Sequence, residues 1–117
     1  MPRYRVSVVD GVTVIELEGI VTTRRYWWLG VVDGFLLRGR RDFVVSLEDA
    51  RLTTFADARF VGAVAQRILG YGGHVVFVPP AGRRGSARVR AVARTSHAMA
   101  APSVESAVAA ISVARNP

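Results

Sequence analysis

The sequence predicts a single α/β domain spanning residues 1–117. An N-terminal antiparallel hairpin is followed by alternating strands and helices, giving a mainly parallel sheet flanked by helices. Three observations support this class. Two runs of alternating apolar and polar residues flank Asp10-Gly11, the pattern of a hairpin. Phe43–Leu47 and His74–Val78 are short, nearly continuous apolar runs of the kind found in strands buried on both faces. Between and after them, apolar residues recur at helical spacing. A length of 117 residues with 50% hydrophobic and 21% charged side chains fits one domain around one core and excludes a disordered chain.

Taken in order, Tyr4, Val6 and Val8 alternate with Arg5, Ser7 and Val9, which predicts a strand with one apolar face. Val12, Val14 and Glu16 alternate with Thr13, Ile15 and Leu17 in the returning strand, which Gly19 ends. Residues 20–25 read as a loop in which Thr22 or Thr23 caps the next helix. From Arg25 to Leu37, Trp28, Leu29, Val32 and Leu36 recur at helical spacing, with Trp27, Val31 and Phe35 beside them. One tryptophan then belongs to the core, and the other is a candidate interface anchor. Glu48 to Thr54 read as a polar loop carrying the solvated acids Glu48 and Asp49, closed by Phe55. Asp57 is the expected N-cap of a helix bearing Phe60, Val61, Val64, Ile68 and Leu69, and Gly72-Gly73 ends it. Pro79-Pro80 stops the strand that follows. Ala81 to Gly85 read as a basic loop, Ala87 to Ala93 as a short helix and His97 to Ala100 as a short strand. Ser103 caps a last helix with Val104, Ala107, Val108 and Ile111.

Composition excludes several functions. Cysteine is absent, so there are no disulfides, thiolate metal sites or cysteine nucleophile. Two histidines, His74 and His97, are too few for a zinc site unless carboxylates supply most ligands, and no metal or cofactor is expected. The apolar runs are far shorter than the roughly 18 residues of a membrane span. The opening MPRYRVSVVDG lacks the apolar core of a signal peptide, so the expected location is the cytoplasm. All 16 basic residues are arginine. Residues 1–57 hold eight arginines and eight acids, whereas residues 58–117 hold eight arginines and only Glu105, so the net charge of +7 lies in the second half. Such a field attracts anionic partners.

Several segments together resemble the STAS family, named after sulfate transporters and anti-sigma factor antagonists. They are Leu17-Glu18-Gly19-Ile20; Phe43–Leu47 followed by Thr54-Phe55-Ala56-Asp57; Gly72-Gly73-His74-Val75-Val76-Phe77-Val78; and Pro102-Ser103-Val104-Glu105-Ser106-Ala107-Val108. The resemblance runs from about Tyr4 to Val113 and implies a STAS-like fold. It also implies a non-enzymatic, protein-binding role in bacterial transcription regulation, with a kinase-type anti-sigma factor or another ATPase as partner. In regulatory members, the aspartate before the second helix precedes two hydroxyl residues and a glycine, and the second hydroxyl is phosphorylated. Here Asp57 matches, but Ala58 and Arg59 carry no hydroxyl and Phe60 replaces the glycine. The resemblance therefore carries over the fold and not the phosphorylation switch.

The candidate partner-binding surface is Thr53, Thr54, Asp57, Ala58, Arg59 and Phe60, with Thr53 or Thr54 as a displaced acceptor if phosphorylation persists. A rival reading uses the arginine-rich segment 82–94, with Arg83, Arg84, Ser86 and Arg88, to hold an anion or nucleotide. A weaker rival is charge-driven nucleic-acid binding. A homodimer stays open; membrane insertion is not expected. No catalytic constellation is present, and the Gly-x-Ser-x-Gly nucleophile elbow is missing, so an enzyme is not expected.

Overall fold

The computed structural model describes residues 3–21, 27–52 and 58–115. These form β1 (Arg3–Val9), β2 (Val12–Ile20), α1 (Trp27–Leu37), β3 (Asp42–Arg51), α2 (Arg59–Gly70), β4 (His74–Val78), α3 (Arg83–Thr95), β5 (Met99–Ala100) and α4 (Val104–Arg115). The five strands make one sheet in the order β1-β2-β3-β4-β5. β1 is antiparallel to β2, and β2 to β5 run parallel, as the predicted class requires. Asp10 (φ 50°) and Gly11 (φ 76°) both lie in the left-handed region. That makes the hairpin turn type I′, the twist-matched form that Asp-Gly favours.

The sheet is covered on both faces. On one, Ile15, Leu17, Phe43, Val45, Leu47, Val75 and Phe77 pack with α1, α2 and α3. On the other, Val12, Val14, Val44, Val76 and Val78 pack against Ala107, Val108 and Ile111 of α4 alone. Alternate residues of β3 and β4 thus serve opposite layers, which is why these strands read as unbroken apolar runs. Ser103 caps α4 as expected: the Ser106 amide donates to Ser103 Oγ at 3.1 Å, and the Ser103 amide donates to Ser106 Oγ at 3.2 Å. Among the described residues no helix is long and apolar enough to cross a membrane.

Four elements depart from expectation. β1, the outermost strand of the sheet, has no buried face; all seven of its residues are exposed. β3 does not stop at Leu47. Its register with β2 shifts from Glu16↔Ser46 to Glu18↔Asp49, so Leu47 and Glu48 together oppose Leu17. This β-bulge rotates the strand back into phase and returns Ala50 to the core face of Leu47, leaving Glu48 and Asp49 exposed on a strand rather than in a loop. α3 begins at Arg83, four residues earlier than predicted, although Gly82 provides no side-chain cap. The C-terminal strand shrinks to Met99–Ala100 because His97 (φ 60°) belongs to the end of α3. The Ala98 amide donates to the Ala93 carbonyl at 2.8 Å and the His97 amide to the Arg94 carbonyl at 3.1 Å, a Schellman ending. α1 and α2 end the same way with Gly39 and Gly72 at that position. The loop threonines 22 and 23, and Phe55, lie outside the described residues, as do the side chains of Trp27 and Trp28.

Candidate functional site

The C-terminal ends of the parallel strands open onto a cavity of about 490 Å³ lined by Glu48, Asp49, Ala50, Arg51, Leu52, Pro80, Ala81, Gly82 and Gly85. The bulge in β3 supplies its acidic wall, and the β4–α3 connection supplies the opposite wall. This is the end of an open α/β sheet where ligands and partners are generally met. The chain leaves the rim at Leu52 and re-enters the described structure at Ala58. Thr53, Thr54 and Asp57 lie outside the described residues.

α2 starts with Arg59, and the position before it, Ala58, makes no side-chain capping bond; the expected cap, Asp57, lies outside the described residues. There is no acid in the first turn, so Arg59 sets a cation against the positive end of the helix dipole. Arg59 is exposed. Two of the expected contact residues are not: Ala58 is 0% and Phe60 3% exposed. The reason is the helix period. Phe60 opens the buried stripe Phe60, Val61, Val64, Ala65 and Ile68 and joins the core beneath α2. Phenylalanine at this position therefore enlarges the core, and neither side chain is available to a partner.

The expected loop at Arg83 to Gly85 is instead the first turn of α3, so the arginine-rich segment is helical from Arg83 onward and its charges are spread around the helix. Arg83 and Arg84 occupy the first turn of α3 and are exposed, and neither lines the cavity. Ser86 is already engaged: its amide donates to the Gly82 carbonyl at 2.8 Å, and its hydroxyl accepts from Arg90 Nε at 3.2 Å. By the 3.6-residue period, Arg84 and Arg88 share the ridge of Val92 and Ser96, which faces Gly62 of α2. Arg90 and Arg94 instead line a second concavity with His97, Ala98 and Ala100. The four predicted anion ligands, Arg83, Arg84, Ser86 and Arg88, are thus not brought to one point.

A polar cluster that the sequence reading missed lies at the opposite end of the sheet. Asp42 and His74 are the first residues of β3 and β4 and are register partners. His74 Nδ1 lies 2.8 Å from Asp42 Oδ1. Arg115 Nε donates to Asp42 Oδ2 at 2.6 Å, and its Nη1 donates to the Asp10 carbonyl at 2.9 Å. Burial acts to raise the Asp42 pKa, but the hydrogen bonds from His74 and Arg115 outweigh it and hold the carboxyl below its usual range. Among the described residues no hydroxyl bonds to His74, so the pair lacks a nucleophile and acts as a clamp joining β3, β4, α4 and the hairpin turn. The one signal for it in the sequence is an acid and a histidine each opening a buried strand. Among the described residues no group of three or more His, Asp or Glu side chains could hold a metal ion.

Several solved structures that share this fold are described as anti-sigma factor antagonists. One from Thermotoga maritima superposes with a TM-score of 0.72 at 18% identity, covering 93% of this chain and 94% of its own. One from Mycobacterium paratuberculosis gives a TM-score of 0.72 at 19% identity, covering 96% and 95%. SpoIIAA in its unphosphorylated form gives 0.68 at 14% identity, covering 98% and 100%. The chain has the STAS fold. No protein-family model matches it, and none of the curated proteins does.

Proposed function

We propose that this protein is a non-enzymatic interaction module of the anti-sigma factor antagonist type, one that binds its partner without a phosphorylation switch. The observation that carries the reading is the start of α2. By the resemblance, Ala58 and Arg59 stand where regulatory members of that family carry hydroxyls, and Arg59 is exposed in the first turn of α2. The contact surface is then Arg59 with the preceding Thr53, Thr54 and Asp57. The buried Ala58 and Phe60 hold the helix in place from below. A fixed cation here suits an acidic patch on a kinase-type anti-sigma factor or another ATPase.

Two measurements test this. Incubation with a serine kinase of the anti-sigma type, followed by intact-mass spectrometry, should leave the chain unmodified; a phosphate on Thr53 or Thr54 would show a displaced switch. Calorimetry with the partner that co-purifies from the native host should show Arg59→Ala weakening binding at least about tenfold, about 1.4 kcal/mol. Unchanged affinity would remove this helix end as the recognition site.

A further inference from the structure

β1 is an edge strand of unusual composition. Edge strands of monomers are commonly short or carry charged side chains that repel a second edge. This one is seven residues long, confines its charges, Arg3 and Arg5, to one face, and exposes Tyr4, Val6, Val8 and Val9 at 44%, 37%, 53% and 41%. The other edge, β5, has only two residues.

The hairpin fixes which backbone groups face outward. A two-residue type I′ turn closes on a hydrogen-bonded pair, here Val9↔Val12. Ser7, Arg5 and Arg3 follow at alternate positions and bond to β2. Val8, Val6 and Tyr4 therefore direct their N–H and C=O groups away from β2. The same three residues place their side chains on the face of Ile15 and Leu17, their register partners being Thr13, Ile15 and Leu17.

We propose that β1 pairs with β1 of a second copy of this chain, antiparallel about a two-fold axis at Val6. Outward-facing residues must pair with outward-facing residues, and this register meets that condition. Val6 faces Val6, Tyr4 faces Val8, and Val8 faces Tyr4, so all six are apolar and lie on one face. On the other face Arg5 meets Ser7 and Arg3 meets Val9, so no arginine directly opposes another. Arg5 also keeps its own carboxylates, Glu18 at 3.3 Å and Glu16 at 3.4 Å. Tyr4 borders a groove of about 270 Å³ whose other lining residues are Gly30, Val31, Gly34, Phe35 and Arg38 of α1. A Cβ at Gly30 or Gly34 would meet nothing within 4 Å, so the groove is open. In the paired register Val8 of the second copy stands beside Tyr4 at its mouth. The interface is isologous and closes as a dimer, uniting two five-stranded sheets into one. It is at the opposite edge of the sheet from β5 and leaves Arg59 accessible, so it stands apart from the proposed function.

Sedimentation velocity, from low-micromolar to several hundred micromolar, should show the parent chain as a monomer–dimer equilibrium. Val6→Lys sets two ammonium groups opposite each other on the axis and should weaken dimerisation at least about tenfold. Val8→Lys, facing Tyr4 instead, should weaken it less. Both sites are exposed in the single chain, so circular dichroism should show each variant folded. Leu37→Lys, which removes a 79% exposed leucine on α1, should leave the dimer intact. A parent that stays monomeric throughout, or a dimer indifferent to both Val6→Lys and Val8→Lys, would overturn the proposal.

Discussion

The two ends of the parallel sheet are built on opposite principles. At the N-terminal end Asp42, His74, Arg115 and the Asp10 carbonyl form a continuous chain of hydrogen bonds that draws residues from across the whole sequence together. At the C-terminal end, among the described residues, none of Glu48, Asp49, Arg51 and Arg59 has an ion-pair partner, Ala58 at the start of α2 makes no side-chain capping bond, and a cavity lies open. Unpaired charge at one end and satisfied charge at the other is the division expected when one end stabilises the fold and the other meets a partner. Residues arranged for binding forgo the contacts that would stabilise the free chain.

The most severe way to break the contrast is at Gly73. A Cβ there would lie 2.0 Å from the Arg41 carbonyl oxygen, which accepts from the His74 amide at 2.9 Å. Backbone on both sides cannot yield, so Gly73→Ala should cost roughly 3 kcal/mol or more and separate the starts of β3 and β4. Urea denaturation of the variant measures this. Asp42→Asn tests the clamp itself. Losing the charge that Arg115 and His74 share should cost about 1–3 kcal/mol near neutral pH. The sign of the pH dependence follows from the lowered pKa of Asp42. The carboxylate contributes its stability fully above the unfolded value of about 3.9 and loses it as pH falls through the lower folded value. Melting temperature should therefore drop on acidification in the parent, and that part of the drop should be missing in Asp42→Asn.

How much of this could be read beforehand differs between the two ends. The hairpin, the order of elements and the core residues Val45, Leu47, Val76 and Val78 follow from local periodicity and turn chemistry, and all four of those side chains are fully buried. The bulge in β3 is not local information. It depends on register with β2, so a strand running to Arg51 read as a loop from Glu48. The start of α3 was obscured because arginines in a first turn contradict the helix dipole, and tertiary packing of Val89 and Ala93 overrides that preference. The clamp was invisible because Arg115 lies 73 residues from Asp42 and 105 from Asp10. At the candidate site, the identity of Arg59 was legible, but the inward direction of Phe60 needed the helix phase, which only the true helix start fixes.

Smaller effects sharpen the contrast. Thr13 is fully buried near the hairpin end, and its hydroxyl has no hydrogen-bond partner. Thr13→Val removes that unmet group and should stabilise the chain by about 1 kcal/mol in the same denaturation assay. Arg59→Ala relieves a cation at a helix N-terminus and should raise stability by about 0.3–1 kcal/mol, or leave it unchanged, while weakening partner binding. Gain of stability with loss of binding at one residue is the signature of a site kept for recognition. Loss of both would move Arg59 into the structural half of the molecule.

The single helix α4 has a consequence for biosynthesis. α1, α2 and α3 precede or interleave with the strands they cover, so their layer assembles as the polypeptide is made. Val12, Val14, Val44, Val76 and Val78 must wait for the last helix to be synthesised. Until α4 emerges from the ribosome, the nascent sheet presents a broad apolar face to the cell. Chaperone engagement should accordingly persist until α4 has emerged and end when Arg115 reaches the hairpin turn at Asp10.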